Sequence, residues 1–133
     1  MNKSKLEMID LYFSKFSFSQ HKTEGKIDLF TQFKINCFQN SKDNSLYRVE
    51  INTHINDKNY TFLLDLQTVG IFRLDKTNLD QETIKNIIKR NTIAIMFPYV
   101  RSQISLLTAQ PGMMPIMLQP IDTSQIDETF IIE

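Results

Sequence analysis

Residues 47–68 read YRVEINTHINDKNYTFLLDLQT, and their rhythm decides the fold class. Tyr47, Val49, Ile51, Thr53 and Ile55 alternate with Arg48, Glu50, Asn52, His54 and Asn56. A side-chain period of two belongs to a strand with one face buried and the other facing water. The NDKN at 56–59 consists of turn-forming residue types, so the chain doubles back there as a hairpin. A second alternating run follows, with Tyr60, Phe62, Leu64, Leu66 and Thr68 on one parity and Thr61, Leu63, Asp65 and Gln67 on the other.

Upstream, the same period covers 26–38. Ile27, Leu29, Thr31, Phe33, Ile35 and Cys37 alternate with Lys26, Asp28, Gln32, Lys34 and Asn36, and the polar QNSKDNS at 39–45 is the loop that ends the run. Three consecutive antiparallel strands make a meander. The opening segment is less regular: Leu6, Met8, Tyr12, Phe16 and Phe18 hold one parity, while Ile9, Leu11 and Phe13 hold the other. It reads as a fourth strand, apolar on both faces and so either sandwiched or covered by another subunit.

Downstream, the period lengthens. Asp80 is placed to cap a helix with Glu82 early and Lys89 and Arg90 late, the charge order the helix dipole favours. Ile84, Ile87 and Ile88 form its buried stripe. Beyond Asn91, the residues Ile93, Phe97, Val100, Ile104 and Leu107 are spaced 4, 3, 4, 3, a seam for packing on a helix or a sheet. Pro98 lacks a backbone donor, so this helix either begins there or is kinked. The QPG at 110–112 ends it, and 121–133 is expected to hold a short helix capped by Asp122, with Gln125 in the capping-box position and Asp127 and Glu128 on a solvated face. The chain thus predicts a single α+β domain over 1–133, a four-stranded antiparallel sheet with two to three helices on one face.

Fifteen basic and fifteen acidic residues cancel, which leaves no net field to attract nucleic acid or anionic lipid. The start of the chain has charges where a signal peptide needs an apolar run, and no window reaches the roughly 18–20 apolar residues of a membrane span. A cytoplasmic location is expected. Cys37 is the one cysteine, which excludes a disulfide within the chain. A nucleophile–base pair of Cys37 with His54 fails on parity, since the two occupy opposite faces; His21 lies on a separate element, and a buried thiol is the simpler account. The histidines and scattered carboxylates match no metal-ligand spacing, and no phosphate-binding or hydrolase motif occurs, so neither cofactor nor enzymatic activity is expected. Ten Phe, six Met and four Tyr against three Gly are a heavy apolar load for one small core. Met113, Met114 and Met117 lie in a proline-rich segment, where adaptable thioethers either fill gaps under a loop or form a surface for varied apolar partners.

Three motifs then come in order: GIF at 70–72, FPYVR at 97–101 and PIMLQPID at 115–122. In that order after the strands, the chain resembles the SecB family of protein-export chaperones over nearly its whole length. The resemblance implies a four-stranded sheet with a long helix, assembled as a homotetramer (a dimer of dimers), and a function as a holding chaperone that takes unfolded polypeptides into apolar grooves without nucleotide. It puts Ile27 and Leu29 on the groove-lining strand, with Leu63, Met113, Met114 and Met117 as further client contacts. It places Leu64, Leu66, Thr68, Phe97, Val100, Ile104 and Leu107 between subunits.

The chain departs from the family's pattern at the surface that meets the translocase motor ATPase. Asp65 matches one acidic position, but Lys15 and Ser19 stand where the first strand carries carboxylates, and Thr123 stands where Phe is usual. Opposite charge at an electrostatic docking site weakens it. Clients are therefore either secretory precursors or the antitoxin of a toxin–antitoxin–chaperone module, with the latter expected. The competing class is a permanent scaffold subunit.

Overall fold

The computed structural model describes residues 5–21, 28–113, 115–119 and, as backbone, 127–132. Strands β1 (Leu6–Gln20), β2 (Leu29–Gln39), β3 (Leu46–Asp57) and β4 (Phe62–Leu74) precede helix α1 (Gln81–Asn86), a π-helical turn (Ile87–Asn91), helix α2 (Thr92–Thr108) and strand β5 (Asp127–Ile132). The α+β architecture with four antiparallel strands is as expected. The sheet order is β1-β4-β3-β2-β5, so β1 lies against β4 and the first four strands form a Greek key.

Strand β3 sits between β4 and β2 and alternates along its whole length. Its Val49, Ile51 and Ile55 lie opposite Cys37, Ile35 and Thr31 on one side, and opposite Gly70, Thr68 and Leu64 on the other. Residues directly opposite share a face. These rows make the buried face of the sheet, and Val49, Ile55 and Leu64 are fully covered. At the hairpin Asp57 closes the turn: its carboxylate accepts from Phe62 N at 3.1 Å and from the Thr61 hydroxyl.

The double parity of β1 has a local cause. Register shifts fall between Met8 and Asp10 and between Phe13 and Lys15, so Ile9 and Ser14 are extra residues. Each bulge inverts the parity. As a result Leu6, Met8, Leu11, Phe13, Phe16 and Phe18 lie opposite Leu74, Phe72, Gly70, Thr68, Leu66 and Leu64, all on the buried face. Tyr12, opposite Val69, is left on the outer face and Ile9 sits at a bulge, so the strand is mainly apolar on one face rather than on both, and the expectation is corrected to that extent.

Asp80 caps α1 as its position predicts, accepting from Thr83 N at 2.7 Å. The helices do not separate at Asn91. The π turn carries the chain from α1 into α2 and the Thr92 hydroxyl bonds back to the Ile88 carbonyl, so 81–108 is one helical run and the helix count is lower than expected. Pro98 lies inside α2, neither at its start nor at a break between elements. It is exposed, where water can serve the carbonyl of Ala94 that its ring leaves without a donor.

Ile93, Met96, Phe97, Val100 and Ile104 of α2 are covered against the sheet. Gly70 allows the close approach: a Cβ there would stand 2.8 Å from Met96 Sδ and 2.7 Å from Phe72 Cε2.

The expected terminal helix is overturned where the chain is described. Asp127–Ile132 is a strand, parallel to β2 from the Lys34↔Asp127 pair to the Gln39↔Ile132 pair. Asp122 and Gln125 lie outside the described residues. The segment DETFII ends in aromatic and β-branched residues that suit a strand, and an unpaired sheet edge offers it backbone partners.

Candidate functional site

The two faces of the sheet differ in chemistry. On the face away from the helices, the register aligns Ser17, Asp65, His54 and Gln32 in one row and Lys15, Gln67, Asn52 and Lys34 in the next. His54 Nδ1 lies 2.6 Å from Asp65 Oδ1, and Gln67 donates to Asn52 at 2.9 Å while the Ser14 hydroxyl bonds to Gln67 Oε1. Asp65 is half-buried, as its outward parity predicts, but it is engaged by the imidazole. Lys15 and Asp65 line one cavity of about 310 Å³ together with Ser17, Asn52 and Gln67. Across β1–β4 the register puts Glu7, Asp10, Glu50 and Asp65 on this face beside Lys15, Lys34, Arg48 and Arg73, so within these four strands four carboxylates meet four cations.

Cys37 is buried on the helix face and His54 lies on the outer one, so parity judged them correctly and they form no dyad. Among the described residues no group of His, Cys, Asp and Glu could hold a metal ion. No helix there is long and apolar enough to cross a membrane.

On the helix face the cover is incomplete. Along β2, Ile35 and Cys37 are buried, and Phe33 is half-buried against Phe97 with ring centroids 5.3 Å apart. Thr31 and Leu29, further along the same face, are exposed, Leu29 by 37%. Phe16 reaches 55% exposure where β1 forms the edge. Beyond α2, residues 115–119 run as a strap along the helix. Arg101 Nε donates to the Leu118 carbonyl at 3.0 Å, the Ser105 hydroxyl to the Ile116 carbonyl at 3.2 Å, and Ile116 N to the Thr108 hydroxyl at 2.8 Å. These bonds hold Ile116 and Leu118 against the core and leave Met117 75% exposed.

The sequence-predicted client contacts therefore divide. Leu29 and Met117 are exposed, while Met113 is half-buried against the core. Leu63 lies opposite Asn56 on the outer face, so the sheet separates it from Leu29. Ile27 and Met114 lie outside the described residues.

The residues expected between subunits are covered within a single protomer. Leu64, Leu66, Thr68, Phe97, Val100 and Ile104 are each at most 5% exposed within one protomer, and Leu107 packs against the same core. The apolar stripe of α2 finds the apolar face of its own sheet. What remains outward on α2 is a stripe that sequence reasoning passed over: Tyr99 and Leu106, 48% and 68% exposed, with half-buried Ile95 four residues before Tyr99. Their helical spacing was the available signal.

Residues 1–128 match the family described as preprotein translocase subunit SecB. Protein-export protein SecB of Orientia tsutsugamushi (strain Boryong) is 38% identical over 105 residues, 76% of this chain and 62% of that protein. Its namesakes in Rickettsia akari and Anaplasma phagocytophilum are 33% identical over 100 residues and 31% over 93, covering 73% and 67% of this chain and 62% and 59% of theirs. The match thus spans about three-fifths of the length of these curated relatives. Among solved structures, a Mycobacterium tuberculosis SecB-like chaperone in complex with a ChAD peptide from the HigA1 antitoxin aligns with a TM-score of 0.72 at 16% identity, over 89% of this chain and 88% of that one. At that identity the likeness is one of fold.

Proposed function

Because this chain belongs to the SecB family, we propose that it is a holding chaperone that takes unfolded, extended polypeptide onto the uncovered helix-side half of β2. The observation that carries this reading is the contrast along one strand face, closed at Ile35 and Cys37 and open at Leu29 and Thr31. Exposed Met117 on the strap adds an unbranched, polarizable contact. An extended client gains main-chain hydrogen bonds at a strand edge and apolar contacts from alternate side chains, which needs little sequence recognition. Assembly as a dimer of dimers, in this reading, draws on the outward stripe of α2 and the uncovered edge of β1, since the seam residues are already occupied.

Secretory precursors are the clients that the curated relatives' name favours. The antitoxin reading has one observation of its own: the outer face of β1–β4 is charge-balanced, with Lys15 in a cavity beside Asp65 and Asp65 engaged by His54. A surface of that kind lacks the acidic field that an electrostatic partner needs. The test is retention of a chemically denatured polypeptide in solution after dilution. Suppressed aggregation at equimolar protein supports the reading, and unchanged aggregation at a large excess overturns it. Proteins co-purifying from the native cell then assign the client, precursors on one side or an antitoxin on the other.

A further inference from the structure

The edge of β2 that a client would use is partly occupied already. Strand β5 pairs with it from Lys34 to Gln39 and leaves Leu29–Phe33 beyond its register. Resting on the chaperone reading above, we propose that β5 is a built-in placeholder: a segment of this chain that sits on the client edge and is displaced when an extended client adds there.

The attachment has the properties of a removable cap. The pairing is parallel, the less stable arrangement per residue, and six residues long against the eleven-pair register between β2 and β3. β5 has one strand neighbour, whereas β3 and β4 each have two. Its composition resembles what it would imitate, two carboxylates followed by Thr, Phe and two Ile in extended form. Its register runs Asp127 opposite Lys34, Phe130 opposite Cys37 and Ile132 opposite Gln39. A long edge with unpaired N–H and C=O groups is also an aggregation hazard, and covering it by a short internal strand protects the resting chaperone from pairing with its own copies.

Displacement sets a cost on every client that pairs along the edge beyond Phe33. The apparent affinity falls by the fraction of molecules whose edge is free, so a cap closed nine-tenths of the time weakens binding about tenfold. Weak extended segments are then turned away, while clients that also reach Leu29 and the strap succeed.

The experiment uses the full chain with F130P and I131P together. Proline cannot donate to a ladder, and two in succession remove whichever N–H faces β2. Binding of reduced, carboxymethylated α-lactalbumin is measured for both proteins, along with binding of a fluorescent peptide of residues 120–133. The expected result is about tenfold tighter α-lactalbumin binding by the variant, with the peptide bound by the variant and released by α-lactalbumin. Equal or weaker binding by the variant overturns the placeholder and leaves the chaperone reading intact, because wild type still holds the polypeptide. No binding by either protein overturns both. Hydrogen exchange on wild type covers the case of a variant that does not fold: amides at 127–132 should lose protection when α-lactalbumin is added, while those of β3 and β4 keep theirs. Unchanged protection at 127–132 in the bound state refutes the placeholder.

Discussion

Replacing Leu66 with Ala separates a protomer core from a subunit interface. Leu66 is 2% exposed, opposite Thr53 of β3 and Phe16 of β1. Truncating a fully buried leucine costs about 3 kcal/mol, through lost transfer energy and the cavity left behind. With a urea dependence of about 1.5 kcal/mol per molar, the unfolding midpoint falls by about 2 M. The same loss lowers the melting temperature by about 12 °C for a chain of this length. Circular dichroism in urea reads the midpoint, and light scattering reads particle size on the same samples. If Leu66 belongs to the protomer's core, the gap between wild type and variant is the same at low and high protein concentration, and the particle below the midpoint keeps its size. An interface residue behaves otherwise, because its loss acts through mass action and shrinks as protein concentration rises. A variant with the wild-type midpoint but a smaller, folded particle would refute the placement of Leu66 in the core.

Leu106→Asp tests the outward stripe of α2: protomer stability should move by no more than about 0.5 kcal/mol, as for other surface changes, while light scattering should show a smaller particle. Unchanged size would remove Leu106 from any interface. Thr68 is fully buried and its hydroxyl has no hydrogen-bond partner among the described residues, so Thr68→Val should raise stability by about 1 kcal/mol in urea titration, and a loss instead would mean that the hydroxyl has a partner. Leu29→Ser with Met117→Ser should weaken holding of a denatured polypeptide several-fold with the melting temperature unchanged; full holding would clear both residues of client contact. Asp43, Asp57, Asp75 and Asp80 are each held below the usual carboxylate range, first by the hydroxyls of Ser45, Thr61, Thr77 and Thr83 respectively, then by backbone N–H groups. Groups with depressed folded values lend stability that is complete above their unfolded value of about 4 and disappears as pH falls through the folded ones. The urea midpoint should therefore drop steadily below about pH 4, and a flat profile would show that these bonds do not persist in solution.

What the sequence revealed follows from how local each cause is. The hairpin, the strands around it and the Asp80 cap depend on residues within a few positions of one another. The cap formed as its pattern predicts, while the hairpin loop falls at 58–61 rather than 56–59, with Tyr60 at positive φ and 64% exposed instead of in the following strand. The bulges of β1 depend on the partner strand. Nothing in LEMIDLYFSKFSF marks Ile9 and Ser14 as extra, and the phase becomes visible only when Leu11 and Phe13 are laid against Gly70 and Thr68. Strand β5 was missed for a related reason: a capping pattern is a short-range signal, and the free edge of β2 that captures 127–132 lies some ninety positions earlier.

The seam of α2 shows where periodicity stops being informative about function. A 4, 3, 4, 3 spacing states that one stripe of a helix is covered, without stating by what. One sheet face carrying Val49, Ile51, Ile55, Leu64, Leu66 and Phe72 has to be covered as well, and it lies on the same chain at high effective concentration. The helix therefore satisfies its own sheet before any second copy can compete. Among the described residues the exposed large apolar side chains all lie outside the seam: Ile9, Tyr12 and Phe16 on β1, Leu29 and Phe30 on β2, Tyr60 in the hairpin, Tyr99 and Leu106 on the far side of α2, and Met117 on the strap. They lie on several elements and on both faces of the sheet. That dispersion suits a surface that assembles with copies of itself and holds clients by many weak contacts better than it suits one permanent partner, whose interface would be expected as a single contiguous apolar patch.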